Sequence, residues 1–305
     1  MRLASWSWGG RHHAGVVSPC GRELTPLALG DASRGTLPLI QALVRGEGLP
    51  PAAGPRIPVE AVTLRAPLPK PLRSLFCAGR NYREHAAELA DTVFREQLPE
   101  RDAWPIVFTK LPETVVGPHD DVRLPGRAVT EQIDYESELA VVIGRGGRDI
   151  PRSRALEHVF GWTVVNDVSA RDVQVRHQQW ELGKSFDTFC PMGPWIVGID
   201  ELDARDTRVR GWVTPSGGEP ELRQDGRTRD MIFDIATLIE TCSRGITLLP
   251  GDLIATGTPS GVGMGFKPPR WLKEGDVVRV EIDGIGAIEN RFTARPSDAA
   301  AAVEA

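Results

Sequence analysis

Two glutamates of one predicted strand are placed to bind a divalent cation. They lie in the segment QIDYESELAVVIG, whose second half has the continuous apolar residues of a strand. Because side chains alternate across a strand, Glu136 and Glu138 point to the same face, about 7 Å apart along it. Paired carboxylates at that distance suit a hard divalent ion, but an exposed strand edge with two hydrated glutamates is the commoner meaning of the pattern. The pair alone leaves both interpretations open.

A third carboxylate follows the next apolar strand, FGWTVVND, at Asp167. Ligand-binding groups are commonly mounted where a strand leads into a turn, although an aspartate there also serves as a helix cap. If the residues that follow are helical, Arg171 and Gln174 share one face, because they are three residues apart. A guanidinium and an amide together suit the recognition of a carboxylate or an oxyanion.

A histidine and a glutamate one helical turn apart form a candidate general base. The segment NYREHAAE gives His85 and Glu88 this spacing, and Asn81 with Glu84 resembles a helix-capping box. A carboxylate within reach of an imidazole raises its basicity and fixes its tautomer, which favours a base acting on water. An incidental pair on a surface helix is the commoner meaning of this spacing.

These residues belong to a chain rich in predicted strands and turns. From about residue 72, turn residues separate apolar runs such as LFCAG, PIVFTK, GPWIVG, DLIATG and DVVRVEIDGIG. Helical spacing is found in LPLIQALVRG, NYREHAAELA and RDMIFDIATLIETCSRG. Glycine and proline clusters around residues 46–58 indicate a linker. We therefore predict a small N-terminal domain over residues 1–70 and a larger, β-rich α+β domain over residues 71–305 that ends in a polar tail.

The composition excludes several classes of protein. The 305 residues are 41% hydrophobic and 25% charged, which is typical of a globular protein and not of a disordered one. With 36 basic and 41 acidic residues, the net charge of −5 gives no general attraction to nucleic acid or to an anionic membrane. The four cysteines have neither metal-ligand nor disulfide spacing, and no apolar stretch resembles a signal peptide or a membrane span. We therefore expect a cytoplasmic protein.

Taken together, the motifs resemble those of the fumarylacetoacetate hydrolase family. The resemblance extends over residues 72–293 and rests on NYREHAAE, FTK, YESELAVVIG, NDVSARDVQ, GKSFDTFCPMGPW and GDLIATGTPSGVG, in this order. It implies a mixed β-sandwich roll with flanking helices, usually dimeric, that binds Mg²⁺ or Mn²⁺. It also indicates the shorter branch with three metal ligands, because the additional aspartate ligand of the animal enzymes has no match here.

The resemblance implies a role for each candidate residue. The metal ligands would be Glu136, Glu138 and Asp167, and three carboxylates leave an octahedral ion open to water and a chelating substrate. The catalytic residues would be His85, Glu88 and Lys184, with the helix that carries His85 folding over the metal as a lid. The substrate-binding residues would be Arg171, Gln174, Lys110 and Thr258.

Three functions are compatible with this resemblance. Our first hypothesis is hydrolysis of a carbon–carbon bond in an acylpyruvate or related β-diketo acid, because a metal ion makes pyruvate enolate a tolerable leaving group. The alternative is an isomerase, tautomerase or decarboxylase of a 2-oxo diacid such as oxaloacetate or 2-hydroxyhepta-2,4-diene-1,7-dioate, which needs only one proton shuttle. A non-catalytic ligand-binding protein would have lost a ligand or the base, and neither is lost. We expect Mg²⁺ or Mn²⁺ as cofactor, a small 2-oxo acid as substrate and a homodimer, with no nucleic-acid or membrane partner.

Overall fold

Strands dominate the computed structural model, which describes residues 1–88 and 104–294. The strands are β1 (Arg2–Trp8), β2 (Arg11–Val17), β3 (Glu23–Pro26), β4 (Ile57–Pro58), β5 (Thr63–Arg65), β6 (Leu75–Gly79), β7 (Ile106–Lys110), β8 (Val115–Val116), β9 (Val122–Leu124), β10 (Ile133–Asp134), β11 (Ser137–Ile143), β12 (Val159–Asn166), β13 (Ser169–Ala170), β14 (Cys190–Gly198), β15 (Arg208–Thr214), β16 (Glu221–Arg227), β17 (Leu253–Ala255), β18 (Val277–Ile282) and β19 (Gly286–Ala294). The helices are α1 (Leu37–Val44), α2 (Arg83–Glu88), α3 (Arg171–His177), α4 (Glu181–Lys184) and α5 (Ile235–Ser243). The predicted β-rich α+β class is confirmed.

Some sequence predictions concern residues 89–103 or 295–305. These are the end of the helix predicted over residues 81–90, the implied role of that helix as a lid, and the polar tail. They lie outside the described residues.

Within the described ranges, most strands form one mixed sheet of twelve strands. Its order is β4–β3–β2–β1–β14–β12–β11–β17–β6–β7, with β5 beside β1 and β8 beside β14. The central pair, β11 and β12, is antiparallel and almost entirely buried. Strands covered on both faces are apolar on both faces, which explains the continuous apolar runs LAVVI and WTVV in this pair.

A second sheet of five strands covers one face of the first. Its order is β16–β15–β18–β19–β9, and β15 and β18 pack against β11 and β12. Leu139, Val141 and Val164 of the large sheet share one apolar core with Val209 and Val280 of the small one. The two sheets form the predicted β-sandwich, in which strands of the small sheet pack against β11 and β12.

The first strands of the chain extend the large sheet. β1 pairs with β14 in antiparallel register, with Leu3 opposite Ile196, and β2 to β5 continue outward from β1. The apolar side of α1 is buried. The division into two domains at residue 70 stays a prediction.

The helix predicted around residues 229–245 is shorter than its apolar spacing suggests. Asp234 caps α5, since its side chain accepts from the Thr237 N–H at 2.8 Å. A capping residue has non-helical backbone angles, so α5 begins after it and Ile232 lies outside the helix. No helix in the described part of the chain is long and apolar enough to cross a membrane.

Candidate active site

Three carboxylates meet where β11 begins and β12 ends. Glu136 directly precedes β11, Glu138 is its second residue, and Asp167 directly follows β12. Ser137 is paired with Asn166, and the Asp167 N–H donates to the Glu136 carbonyl at 2.9 Å, so the two strand ends are side by side. Carboxylate oxygens of the three residues lie within 4.8 Å of one another, and the exposed fractions are 5%, 1% and 0%. The alternative interpretation, in which Glu136 and Glu138 are hydrated residues of an exposed strand edge, is therefore wrong.

Three cationic side chains contact this carboxylate cluster. Lys184 Nζ lies 2.5 Å from Glu136 Oε2 and 2.8 Å from Asp167 Oδ2. Lys110 Nζ lies 2.8 Å from Asp167 Oδ1, and Arg171 Nη2 lies 2.7 Å from Glu136 Oε1. Buried charges need such partners, because removing one partner of a buried pair costs about 3–5 kcal/mol. The cluster is thus a network of mutually dependent charges.

The two glutamates differ in their ionisation. Burial, followed by the negative charges of Asp167 and Glu136, raises the pKa of Glu138 well above its ordinary value. Burial also favours the neutral form of Glu136, but Lys184 and Arg171 overcome it and hold the pKa of Glu136 below its ordinary value. Of the two glutamates, Glu138 is therefore the one whose negative charge is less well balanced by the cationic side chains of the protein.

The donor set fits the predicted Mg²⁺ or Mn²⁺. Both ions prefer oxygen ligands, and a buried group of carboxylates supplies them. Among the residues of ranges 1–88 and 104–294, one group of His, Cys, Asp or Glu side chains is close enough to hold a metal ion: Glu136, Glu138 and Asp167. These three residues are the candidate metal ligands.

Arg171 and Gln174 share one face of α3, as their spacing predicts. Arg171 Nη1 donates to Gln174 Oε1 at 3.2 Å, and both side chains are almost fully buried against the site. Burial opposes the charged form of Arg171, but Glu136 and Asp134 outweigh it and raise the pKa of Arg171 above its usual range. Arg171 is thus a permanent cation in a fixed orientation.

α2 brings His85 to the site and Glu88 to His85. His85 Nδ1 lies 3.1 Å from Glu88 Oε2, and Glu88 Oε1 accepts from the Gly261 N–H at 3.0 Å. Gly265 packs against the same carboxylate, since a Cβ there would lie 2.0 Å from Glu88 Oε1. The Tyr135 hydroxyl donates to the Gly261 carbonyl at 2.7 Å. A glycine-rich loop therefore supports the His–Glu pair.

The capping box predicted for α2 is wrong. Asn81 Nδ2 donates to the carbonyls of Phe233 at 2.9 Å and Thr256 at 2.8 Å, and Asn81 Oδ1 accepts from the Phe233 N–H at 2.8 Å. α2 begins two residues later, at Arg83. The buried Asn81 amide satisfies two distant loops instead of the free N–H groups of its own helix.

A small cavity lies beside the carboxylate cluster. It measures about 20 Å³, which is enough for one water-sized body. Its lining includes the predicted site residues His85, Glu136, Glu138, Arg171, Gln174, Lys184 and Thr258. The other lining residues are Ala78, Gly79, Arg80, Phe108 and Trp180. Seven predicted residues from five segments of the chain thus face one space.

The other three predicted residues, Asp167, Glu88 and Lys110, contact residues that line the cavity and are not among the lining residues given above. Asp167 is one of the carboxylate cluster, and Glu88 contacts His85. Lys110 stands behind Asp167, where its Nζ also donates to the carbonyls of Val168, at 3.2 Å, and Lys184. This position supports a role for Lys110 in holding Asp167, whereas its assignment to substrate binding stays a prediction.

Arg80 is a site residue that the motifs did not predict. It follows β6 with a left-handed backbone, φ 51°, and its guanidinium lies 5.5 Å from the centre of the Trp180 ring. Burial, together with the nearby charge of Arg171, lowers the pKa of Arg80 to about 10. The position of a polar residue at a strand end, the signal that singled out Asp167, also applies to Arg80.

Asp134 is a second residue without a predicted role. It is fully buried and accepts from Arg171 Nε at 2.9 Å. It also accepts from the N–H groups of Gly263 at 2.6 Å and Met264 at 3.0 Å. Asp134 therefore links Arg171 to the loop that supports Glu88, and no local sequence pattern indicates this link.

Comparisons with known proteins identify the family of this chain. Residues 74–293 match the family described as Fumarylacetoacetate (FAA) hydrolase C-terminal. The chain is 49% identical to oxaloacetate tautomerase YisK of Bacillus subtilis over 236 residues. This aligned region covers 76% of this chain and 73% of that protein.

Two solved structures have the same fold over nearly the whole chain. Fumarylacetoacetate hydrolase (EaFAH) from psychrophilic Exiguobacterium antarcticum is 40% identical with a TM-score of 0.80, covering 97% of this chain and 100% of that one. The 5-carboxymethyl-2-hydroxymuconate delta-isomerase from Mycobacterium smegmatis is 34% identical with a TM-score of 0.75 and the same coverage, 97% and 100%. The chain therefore belongs to the fumarylacetoacetate hydrolase family.

Proposed function

We propose that the protein is a tautomerase, dependent on a divalent metal, that interconverts the enol and keto forms of oxaloacetate. The observation that carries this proposal is the 49% identity to an oxaloacetate tautomerase over 236 residues. The similarity to a delta-isomerase at 34% identity points to the same reaction class. Both relatives favour the tautomerase alternative over carbon–carbon bond hydrolysis, our first hypothesis from the sequence.

The charges around the cavity support a small diacid as substrate. Arg80, Arg171 and Lys184 bring three cationic groups to its lining. Oxaloacetate carries two carboxylates, and guanidinium groups bind carboxylates through two parallel hydrogen bonds. Phe108 and Trp180, with ring centres 5.4 Å apart, form an apolar wall of the same narrow space.

The carboxylate cluster would hold the divalent ion. When bound, the ion supplies Lewis-acid stabilisation of the negative charge on the 2-oxo oxygen of the substrate. Lys184 contacts both Glu136 and Asp167 and so holds their carboxylates in orientation. Arg171 and Gln174, which line the same cavity, offer donors to orient the substrate.

Tautomerisation requires one proton to move between carbon and oxygen. The C3–H bond of the keto form breaks, and one O–H bond of the enol forms, so neither water nor a nucleophile is consumed. His85 lines the cavity, and Glu88 contacts its Nδ1, which leaves Nε2 to take the proton from C3 and deliver it to the 2-oxo oxygen, or to run the same transfer in reverse. The Glu88 carboxylate stabilises the imidazolium that forms, which is the role of a carboxylate behind a general base.

Parallel assays on one Mg²⁺-loaded preparation test this proposal. Loss of the enol's ultraviolet absorbance measures tautomerisation of oxaloacetate, while pyruvate release measures decarboxylation of oxaloacetate and hydrolysis of acetylpyruvate. We expect tautomerisation well above the uncatalysed rate, lost with a chelator and in His85→Gln, and retained in His177→Gln, which changes an exposed histidine. Faster cleavage of acetylpyruvate, or full activity of His85→Gln, would contradict the proposal.

We also propose a cytoplasmic homodimer. The cysteines, Cys20, Cys77, Cys190 and Cys242, are all free, which agrees with a reducing compartment. The dimer rests on the family resemblance, and light scattering of the purified protein measures it. A mass equal to the 33.3 kDa chain would contradict the dimer.

A further inference from the structure

The buried side chain of Gln224 joins the five-stranded sheet to the active site. Gln224 lies in β16 and is fully buried. Its Oε1 accepts from the Ser137 N–H at 3.0 Å, at the peptide between the two candidate glutamate ligands. Its Nε2 donates to Thr258 Oγ1 at 2.7 Å and to the Pro259 carbonyl at 2.8 Å. One amide thus contacts both the metal-ligand strand and a residue that lines the cavity.

Two backbone partners fix the orientation of this amide. The Ser137 N–H can only donate, so the side-chain atom beside it is the oxygen. The Pro259 carbonyl can only accept, so the atom beside it is the nitrogen. Gln224 therefore presents an N–H to Thr258, and Thr258 Oγ1 accepts it.

The hydroxyl proton of Thr258 is consequently directed away from Gln224. A hydroxyl has one proton, and the Ser137 carbonyl lies 3.1 Å from Thr258 Oγ1 as its acceptor. Thr258 also lines the cavity, so a small rotation would direct this proton to the oxygen of a ligand.

We infer that Gln224 is a positioning residue that keeps Thr258 a hydrogen-bond donor toward the substrate. The ionised carboxylate of a 2-oxo acid has only acceptor oxygens, so a cavity hydroxyl helps to bind it only by donating. With the Gln224 N–H on one lone pair, Thr258 must donate its proton to an acceptor other than Gln224, which is the Ser137 carbonyl here and would be the substrate oxygen when a ligand is bound. The inference rests on the proposed function for the nature of the ligand, a 2-oxo acid.

The packing between the sheets is consistent with this role. Gly211 of β15 is paired with Gln224 across the small sheet. A Cβ at Gly211 would lie 2.4 Å from Ser137 Oγ and 3.1 Å from Gln224 Oε1. The missing side chain at Gly211 therefore lets β11 approach Gln224 within hydrogen-bond distance.

Calorimetric binding of oxalate, an unreactive dicarboxylate, to the Mg²⁺-loaded protein tests the inference. The variants are Gln224→Met, Thr258→Val and the double variant, with the melting temperature as a check on folding. We expect Gln224→Met to weaken oxalate binding about 10-fold, the effect of one hydrogen bond to a charged group. The double variant should bind no more weakly than Thr258→Val, because Gln224 acts through Thr258. For oxaloacetate, KM should rise while kcat stays nearly unchanged.

Two further variants keep the test decisive if Gln224→Met folds poorly. In Gln224→Glu, one carboxylate oxygen still accepts from the Ser137 N–H. The other oxygen would accept the Thr258 hydroxyl proton, so oxalate binding should again weaken. Thr258→Ser keeps the hydroxyl and should bind oxalate like the wild type, whereas Thr258→Val should not.

Several outcomes would overturn the inference. The inference fails if Gln224→Met or Thr258→Val binds oxalate with wild-type affinity. It also fails if the loss of oxalate affinity in the double variant equals the product of the losses in the two single variants. Oxalate binding requires no turnover. A protein that shows the expected coupling but does not tautomerise oxaloacetate would therefore refute the proposed function and leave the role of Gln224 intact.

Discussion

The two halves of the active site are built differently. The carboxylate half lies at the ends of β11 and β12, central strands with hydrogen-bonded neighbours on both sides. The base half, His85 and Glu88, lies on α2. Within the described residues, the side chains of Glu84 and Glu88 join this helix to the loop at residues 260–265. Local stability follows the density of buried backbone hydrogen bonds and apolar contacts, so the first half is the more rigid one.

This difference indicates how each half can fail. The carboxylates are held together against their mutual repulsion, so a change among them alters folding and metal affinity together. The proton-transferring pair depends on one contact between two side chains. A change around that pair should therefore lower turnover while folding and metal binding persist.

The largest effect is expected from Asp167→Asn. Lys110 and Lys184 would both lose a charged partner at 2.8 Å in a fully buried position. We expect the free energy of unfolding to fall by about 3–5 kcal/mol and Mn²⁺ binding to be lost. Urea unfolding of the metal-free protein and titration with Mn²⁺ measure the two effects, and Asp187→Asn changes an exposed aspartate as a control. Lost Mn²⁺ binding with unchanged stability would refute the coupling.

The next largest effect is expected from His85→Gln, and it should be confined to turnover. Removing a general base typically lowers kcat about 10²- to 10⁴-fold, and glutamine roughly preserves the volume of the buried imidazole. We expect the affinity for Mn²⁺ and the melting temperature to stay close to those of the wild type. Steady-state kinetics and Mn²⁺ titration check this, and a large loss of Mn²⁺ affinity would show that the two halves are not separable.

The sequence predicts the paired residues of both halves, since His85 and Glu88 are also in contact as their spacing predicts. Glu136 and Glu138 are two residues apart on one strand, so alternation alone places them together, and the family motifs supply Asp167 and Lys184. Their burial does not follow from local pattern, because it depends on the five-stranded sheet. One strand of that sheet, β16, has the sequence ELRQDGR, which lacks the apolar alternation of a strand.

Contacts between distant segments account for what the motifs miss. Asn81 resembles a helix cap, but its partners Phe233 and Thr256 lie 152 and 175 residues away. Asp134 and Gln224 likewise act across 37 and 34 residues, on Arg171 and Thr258. Each of these polar side chains is satisfied only after the sheets have packed, so no window of sequence contains the reason for its type.

A single methyl group at Gly265 should damage the base half alone. The added Cβ would lie 2.0 Å from Glu88 Oε1, 2.2 Å from its Cδ and 2.6 Å from its Cγ, so the whole Glu88 side chain must turn away from the loop. We expect Gly265→Ala to lower kcat about 10-fold, less than loss of the base itself, with Mn²⁺ affinity and melting temperature unchanged. Gly30→Ala, at a position with no atom within 4 Å of the added Cβ, is the matched control. A marked fall in melting temperature would contradict this prediction.

The smallest effect is expected from Ser260→Ala, which tests what holds α2 to the loop. Ser260 Oγ donates to Glu84 Oε2 at 3.2 Å, an exposed contact between the same helix and loop that Glu88 joins. An exposed hydrogen bond contributes at most about 1 kcal/mol, so kcat should change less than about 5-fold. Comparing kcat of Ser260→Ala and Gly265→Ala in one assay measures the two contacts. Equal losses would mean that the loop as a whole positions His85, whereas a loss confined to Gly265→Ala assigns that role to Glu88.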